Sequence, residues 1–265
     1  MRSAVAIATL RARSLEVPRA VVLLTGGAWA LAIGAEVAGH GRAFGHDALI
    51  EGGMPVPAAL ALFVLSWQVM LAAMMLPSSV GMLRTFGRLA AREPDPARSR
   101  TAFVAAYGLV WTGFGFAAFA GDGILHRAVD ASPWLGAHEW LIGGGVLLVA
   151  GAFQFSDLKD RCLSECRTPL GFLMERYRPG ARAAFRVGVA HGAFCVGCCW
   201  ALMLVGFAAG AGNLLWMAVL TTVMAVERSA PRGRAIVRPV GAAFVALAGL
   251  VLLHPIWLPP MLGTG

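Results

Sequence analysis

The sequence predicts an all-α fold, a polytopic transmembrane helix bundle of about seven spans with a cytoplasmic N-terminus, and three observations predict it. Of 265 residues 58% are hydrophobic and 14% charged, with a mean hydropathy of +0.71. A soluble core built from that composition would leave large apolar patches in water. Apolar runs of the length a helix needs to cross a hydrocarbon core of roughly 30 Å recur at about 20–39, 57–82, 102–121, 139–157, 187–209, 211–227 and 236–254. The third observation is charge placement: an inside N-terminus leaves only Arg42 and Arg127 of the 22 basic residues facing outward, as the positive-inside rule requires.

The elements follow in order. Ala4 to Leu10 is a short apolar run followed by Arg11 and Arg13 with no small-residue cleavage site, so it reads as a cytoplasmic tail rather than a signal peptide. The connector after the second span carries Arg84 to Arg100 with Pro94 and Pro96 and stays inside. The longest polar break, about 158–186, has Leu170, Leu173 and Tyr177 at helical spacing opposite Glu175, Arg176 and Arg182, the pattern of a helix lying in the cytoplasmic interface. No break divides the chain, so 1–265 is expected to form a single integral membrane domain. With 33 glycines and Lys159 the only lysine beside 21 arginines, the composition suits a GC-rich bacterium and its cytoplasmic (inner) membrane.

Net charge of +8 and a pI near 10.2 would elsewhere suggest nucleic acid. Here the arginines border membrane spans, which points to topology and to membrane lipids as partners, and to no nucleic acid.

The five cysteines are concentrated. Cys162 and Cys166 stand just past the fourth span, and Cys195, Cys198 and Cys199 lie within the fifth. Disulfides are not expected of thiols facing a reducing cytoplasm or lying within one helix. His191, Cys195 and Cys198 are spaced i, i+4, i+7 and so share a helix face, with Cys199 beside it. Met70 and Met74 form an i, i+4 pair in the second span. Counted along antiparallel helices, Met74 and Met70 reach the levels of Cys195 and Cys199, roughly 12 and 18 Å from the cytoplasmic ends, provided the two helices are neighbours. Thiolate and thioether ligands favour Cu(I). Zinc is the lesser candidate, since no tetrahedral loop motif supports it.

Other polar groups are weaker signals. His40, His46, His126, His138 and His254 fall on the outward side, where solvated loop histidines are the ordinary expectation. Glu36, Gln154, Asp157 and Glu227 lie within or at the ends of spans, where burial is costly and often functional. Glu227 with Arg228 reads equally as a snorkelling pair. Trp67-x-x-Met70 and Trp200-x-x-Met203 echo one another on opposed helices, a match that coincidence explains.

The strings AGAFQFSDLKDRCLSECRTPLGFL, GVAHGAFCVGCCWALML and GNLLWMAVLTTVMAVER, with WQVMLAAMMLPS upstream, resemble a bacterial family of metal-binding integral membrane proteins. That family includes the copper chaperone associated with a tyrosinase-type polyphenol oxidase. The similarity spans roughly 60–250. By position the resemblance points to Trp67, Met70, Met74, Met75 and Pro77; to Gln154, Lys159, Cys162, Cys166 and Arg167; and to His191, Cys195, Cys198, Cys199, Trp200 and Met203. The chain departs from the family at Phe153, Asp157, Ala211 and Arg228. The resemblance implies metal binding and copper supply, with a maturing cuproenzyme or another copper carrier as partner.

Two alternatives stand beside a copper carrier. One is a membrane thiol–disulfide protein, for which the redox spacing occurs once, as Cys195-Val-Gly-Cys198. The other is a metallo-oxidase, which would need an intramembrane histidine set the sequence lacks. No phosphate-binding loop for ATP is present, and a binding protein is expected rather than an enzyme.

Overall fold

A computed structural model describes residues 19–39, 55–138, 140–209 and 213–254, and within them the chain is helical with short turns. In chain order the helices are α1 (Arg19–Val37), α2 (Val56–Ala90), α3 (Pro96–Ala131), α4 (Pro133–Gly136), α5 (Trp140–Phe153), α6 (Asp157–Arg167), α7 (Pro169–Arg176), α8 (Ala181–Ala208), α9 (Leu214–Ser229) and α10 (Gly233–Leu253). Local chemistry sets several of the starts. Asp95 accepts from the Arg98 N–H ahead of Pro96, Ser156 accepts from Lys159, and Asn213 from Trp216, each satisfying an amide that the first helical turn leaves open.

Five helices are long and apolar enough to cross a membrane: α1, α2 from Pro57, α3, α8 and α10. A sixth candidate is the pair α5 and α6, bent by 65° at the break between them. Each of the seven predicted segments contains a helix, but α9 has only 16 residues. Boundaries differ from the sequence reading for a physical reason. Hydropathy reports only the lipid-facing part of a helix, whereas α2 and α3 run on to 35 and 36 residues, about 50 Å each. They outreach the bilayer and carry Arg84, Arg88, Arg98 and Arg100 on helix. The fourth predicted span is shorter than expected, since α5 stops at Phe153 and the chain turns through Gln154 to Ser156.

The break over 158–186 resolves into α6, α7 and the start of α8. Of the expected apolar residues, Leu173 is buried and Tyr177 packs against the same cluster, joined by Phe172, while Leu170 is exposed.

Small residues let helices approach closely. Gly188 and Gly192 of α8 lie against the Phe103 backbone and Val110 of α3, and Gly144 and Gly151 of α5 meet α10 at Leu252 and Val245. Inside α2, Pro77 cannot donate to the Ala73 carbonyl one turn back. The Trp29 indole of α1 donates to that carbonyl at 3.3 Å, so the proline is accommodated by a neighbouring helix. The outward apolar side chains, such as Leu23, Leu31, Leu65, Leu109 and Leu215, are more than half exposed, as a lipid-facing surface requires.

Candidate metal centre

The thiols converge through two elements. On α8, Cys195, Cys198 and Cys199 are no more than 1% exposed. The bend after α5 lays α6 against α8, with Cys162 and Cys166 on its buried side. Cys198 Sγ stands 3.3 Å from Cys199 Sγ and 3.8 Å from Cys166 Sγ, which links the two cysteine motifs. Cys162 sits over Gly197, where an added Cβ would come within 2.6 Å of its Sγ. Glycine in this string is thus a packing requirement of the second motif.

A buried cation stands against the sulfurs. Arg228, 5% exposed at the end of α9, donates from Nη1 to Ser78 Oγ at 2.7 Å and lies 3.1 Å from Cys195 Sγ. The Tyr107 hydroxyl of α3 stands 3.2 Å from the same sulfur and 3.1 Å from Ser79 Oγ. Glu227 turns the other way. Its carboxylate takes Lys159 Nζ at 2.6 Å and Gln154 Nε2 at 3.1 Å, in a pair with side chains 1% and 0% exposed. The snorkelling reading of Glu227 and Arg228 is therefore corrected: both are buried, and they serve different partners because adjacent residues on a helix point about 100° apart. Arg167 is held by the carbonyls of Glu227, Ala230 and Pro231.

Met70, Met74, Met75 and Met203 are buried in the same core as the five cysteines. The assumed neighbourhood of the second and fifth spans is looser than a direct packing: α8 packs on α3, α6, α5 and α9, and α2 on α9, α1 and α3. Side chains close the gap, with the Met74 methyl against Gly206 and Trp67 edge-on to Phe207 at 6.3 Å. Ser78 and Ser79 of α2 reach Cys195 through shared partners, Arg228 and the Tyr107 hydroxyl.

His191 is 1% exposed with neither ring nitrogen hydrogen-bonded. Its ring stacks on Tyr107 at 5.3 Å and Phe103 at 5.9 Å. Among the described residues, no group of three or more His, Cys, Asp and Glu side chains is placed to hold a metal ion. What α6, α8 and α2 bring together is instead a sulfur-rich core of thiols and thioethers.

Elsewhere, Glu36 and Asp157 are exposed. His126 and His138 face backbone carbonyls of Asp122 and Trp134, His254 ends α10, and His40 and His46 lie outside the described residues. Sequence reasoning missed Tyr107 as a thiol neighbour and Arg228 as the cation beside Cys195. Arg228 had a signal, a charge ending an apolar helix; Tyr107 had none, since its partner is 88 residues away.

These features define a class: an all-helical protein with membrane-length apolar helices and five free, buried cysteines. The family model PpoB2, described as copper chaperone, matches residues 64–251, and the chain belongs to that copper chaperone family. No curated protein and no solved structure matches the chain.

Proposed function

We propose that the protein is a membrane Cu(I) carrier that receives the ion at Cys166, Cys198 and Cys199 and passes it to a maturing cuproenzyme or another copper carrier. The observation that carries the reading is the sulfur chain Cys166–Cys198–Cys199, with spacings of 3.8 and 3.3 Å, joining two separate stretches inside the core of a copper chaperone family member. Thiolates suit a soft monovalent ion, for which a pair of sulfurs suffices. Met70, Met74, Met75 and Met203 offer thioethers around it, and Cys162, Cys195 and His191 complete the proposed set.

Charge supports the same reading. Two thiolates and one Cu(I) leave a single negative charge, costly in a low-dielectric interior unless compensated. Arg228 stands against Cys195 to compensate it, whereas the Lys159–Glu227 pair is neutral on its own. The setting proposed is the bacterial cytoplasmic membrane, with seven crossings that include α9 and the α5–α6 pair. The family match favours copper carriage, and nothing in it favours the thiol–disulfide alternative.

The test is a titration of the purified protein with Cu(I) against a competing chelator. Replacing Cys195, Cys198 and Cys199 by Ser is expected to lower affinity by at least two orders of magnitude, on the order of the loss seen when metal-site groups are removed. Unchanged affinity in that triple variant would remove the site.

A further inference from the structure

A pocket of about 470 Å3 opens beside Cys166, bounded by Pro77 to Arg84 of α2, the end of α6, the start of α7 and the end of α9. Its wall carries Arg84, Arg167 and Arg228, the hydroxyls of Ser78 and Ser79, and Cys166. No Asp or Glu lines it. Arg167 and Arg228 are fixed by their neighbours. Arg167 is braced by three backbone carbonyls, and Arg228 is buried, with Nη1 on Ser78 and Cys195 and Nε without a partner. A wall of this kind repels a bare monovalent cation and concentrates anions, because a one-signed cleft with low-dielectric sides focuses its field.

Resting on the copper reading above, we infer that this pocket takes Cu(I) as an anionic complex with a small thiol that bears carboxylates, rather than as the free ion. Two thiolates give such a complex a negative charge at the metal, and carboxylates add more. Guanidinium groups bind carboxylates in paired hydrogen bonds. The pocket lies within the size range of small-molecule sites, enough for a peptide-sized thiol. Cys166 stands on the pocket wall and 3.8 Å from Cys198, so it is the sulfur that meets the complex first. Exchange breaks one bond from copper to carrier sulfur and forms one from copper to Cys166 Sγ. The Cys166 proton leaves on the released carrier thiolate, and copper stays Cu(I), so no electron moves.

The experiment compares loading rates of the full-length protein in lipid nanodiscs from two carriers with the same sulfur ligation and opposite charge. These are Cu(I) held by glutathione, which is anionic, and Cu(I) held by cysteamine, whose ammonium groups make the complex cationic. Wild-type protein is expected to load faster from glutathione, with a rate that falls as salt rises. Arg84→Gln, at a half-exposed position, is expected to slow that rate about tenfold while leaving the cysteamine rate unchanged or faster, and Arg84→Lys is expected to restore it. Equal loading from the two carriers, or an Arg84→Gln effect that is absent or the same for both, would overturn the inference and leave copper binding standing. Failure to retain copper from either carrier would sink the copper reading and the inference with it.

Discussion

Lys159, the only lysine in the chain, is 1% exposed and held 2.6 Å from a fully buried Glu227. An ion pair in such surroundings gains little over an apolar pair of the same size, since desolvation consumes the attraction, but removing one partner strands the other. Lys159→Met should therefore cost about 3–5 kcal/mol, read from unfolding in detergent. Lys159→Met combined with Glu227→Leu should recover most of the loss; a double variant as unstable as the single one would show that the pair does more than neutralise itself. Sequence reasoning flagged Glu227 and Gln154 as polar groups within spans, and the family string contained Lys159. Their meeting was not readable, because it joins residues 68 positions apart through a bend that hydropathy does not report.

At the scale of elements, the cysteine stripe of α8 followed from helical periodicity, but its burial did not, because the spacing places the thiols on one face without saying whether that face meets lipid or the core. The position of α6 did not follow either, because only the 65° turn and the glycine at 197 bring Cys162 and Cys166 to that stripe. Gly197→Ala tests the dependence: a methyl there meets Cys162 Sγ at 2.6 Å, so the Cys162 thiol must rotate away or α6 must shift from α8. We expect an unchanged helical circular dichroism spectrum and Cu(I) affinity reduced about tenfold, as for other groups that orient metal ligands; full affinity would mean that α6 is not part of the site. A second junction ties the α2–α3 turn to the α7–α8 turn. Burial pushes the Glu93 carboxyl up, but hydrogen bonds from Ser99, Tyr177 and the Gly180 N–H together hold it below its ordinary value, and burial followed by the Glu93 carboxylate pushes the Tyr177 hydroxyl up to about 12. The signs differ: the Glu93 contribution to stability is present above the unfolded carboxyl value and lost as pH falls through the lowered one. That of Tyr177 is complete below its unfolded value near 10 and lost as pH rises through about 12. In a Tyr107→Phe background, ultraviolet titration should show Tyr177 ionising near 12, and Glu93→Gln should move it back toward 10; ionisation near 10 before that change would dissolve the junction.

For the whole molecule, the contacts from Arg228 to Cys195 and Ser78, and from Glu93 to Tyr177 and Gly180, place the ends of α2 and α9 and the start of α8 at one end of the bundle. Arg84, Arg167 and Arg228, which line the pocket, belong to that end, while Arg127 lies toward the end of α3 that leads to α4. An asymmetry of this size in loops and helix ends sets orientation during insertion, so the pocket should face the cytoplasm. The number of crossings rests on two short helices, α9, whose 16 residues rise about 24 Å, and α5, whose 14 residues rise about 21 Å, against a core of roughly 30 Å. Bilayer thinning can absorb such deficits at modest cost, and the deep burial of Glu227 and Arg228 at the end of α9 keeps those charges out of lipid. Seven crossings put the two termini on opposite sides. Reporters active only in the cytoplasm should therefore function when fused at Asp95 or Ala230, and reporters active only outside it when fused at Ser132 or after Gly265. If the fusion after Gly265 is active in the cytoplasm while that at Ser132 stays outside, one crossing is lost, at α9 or at the α5–α6 pair, and a fusion at Gly180 assigns it: active in the cytoplasm if α9 fails to cross, outside it if α5–α6 fails.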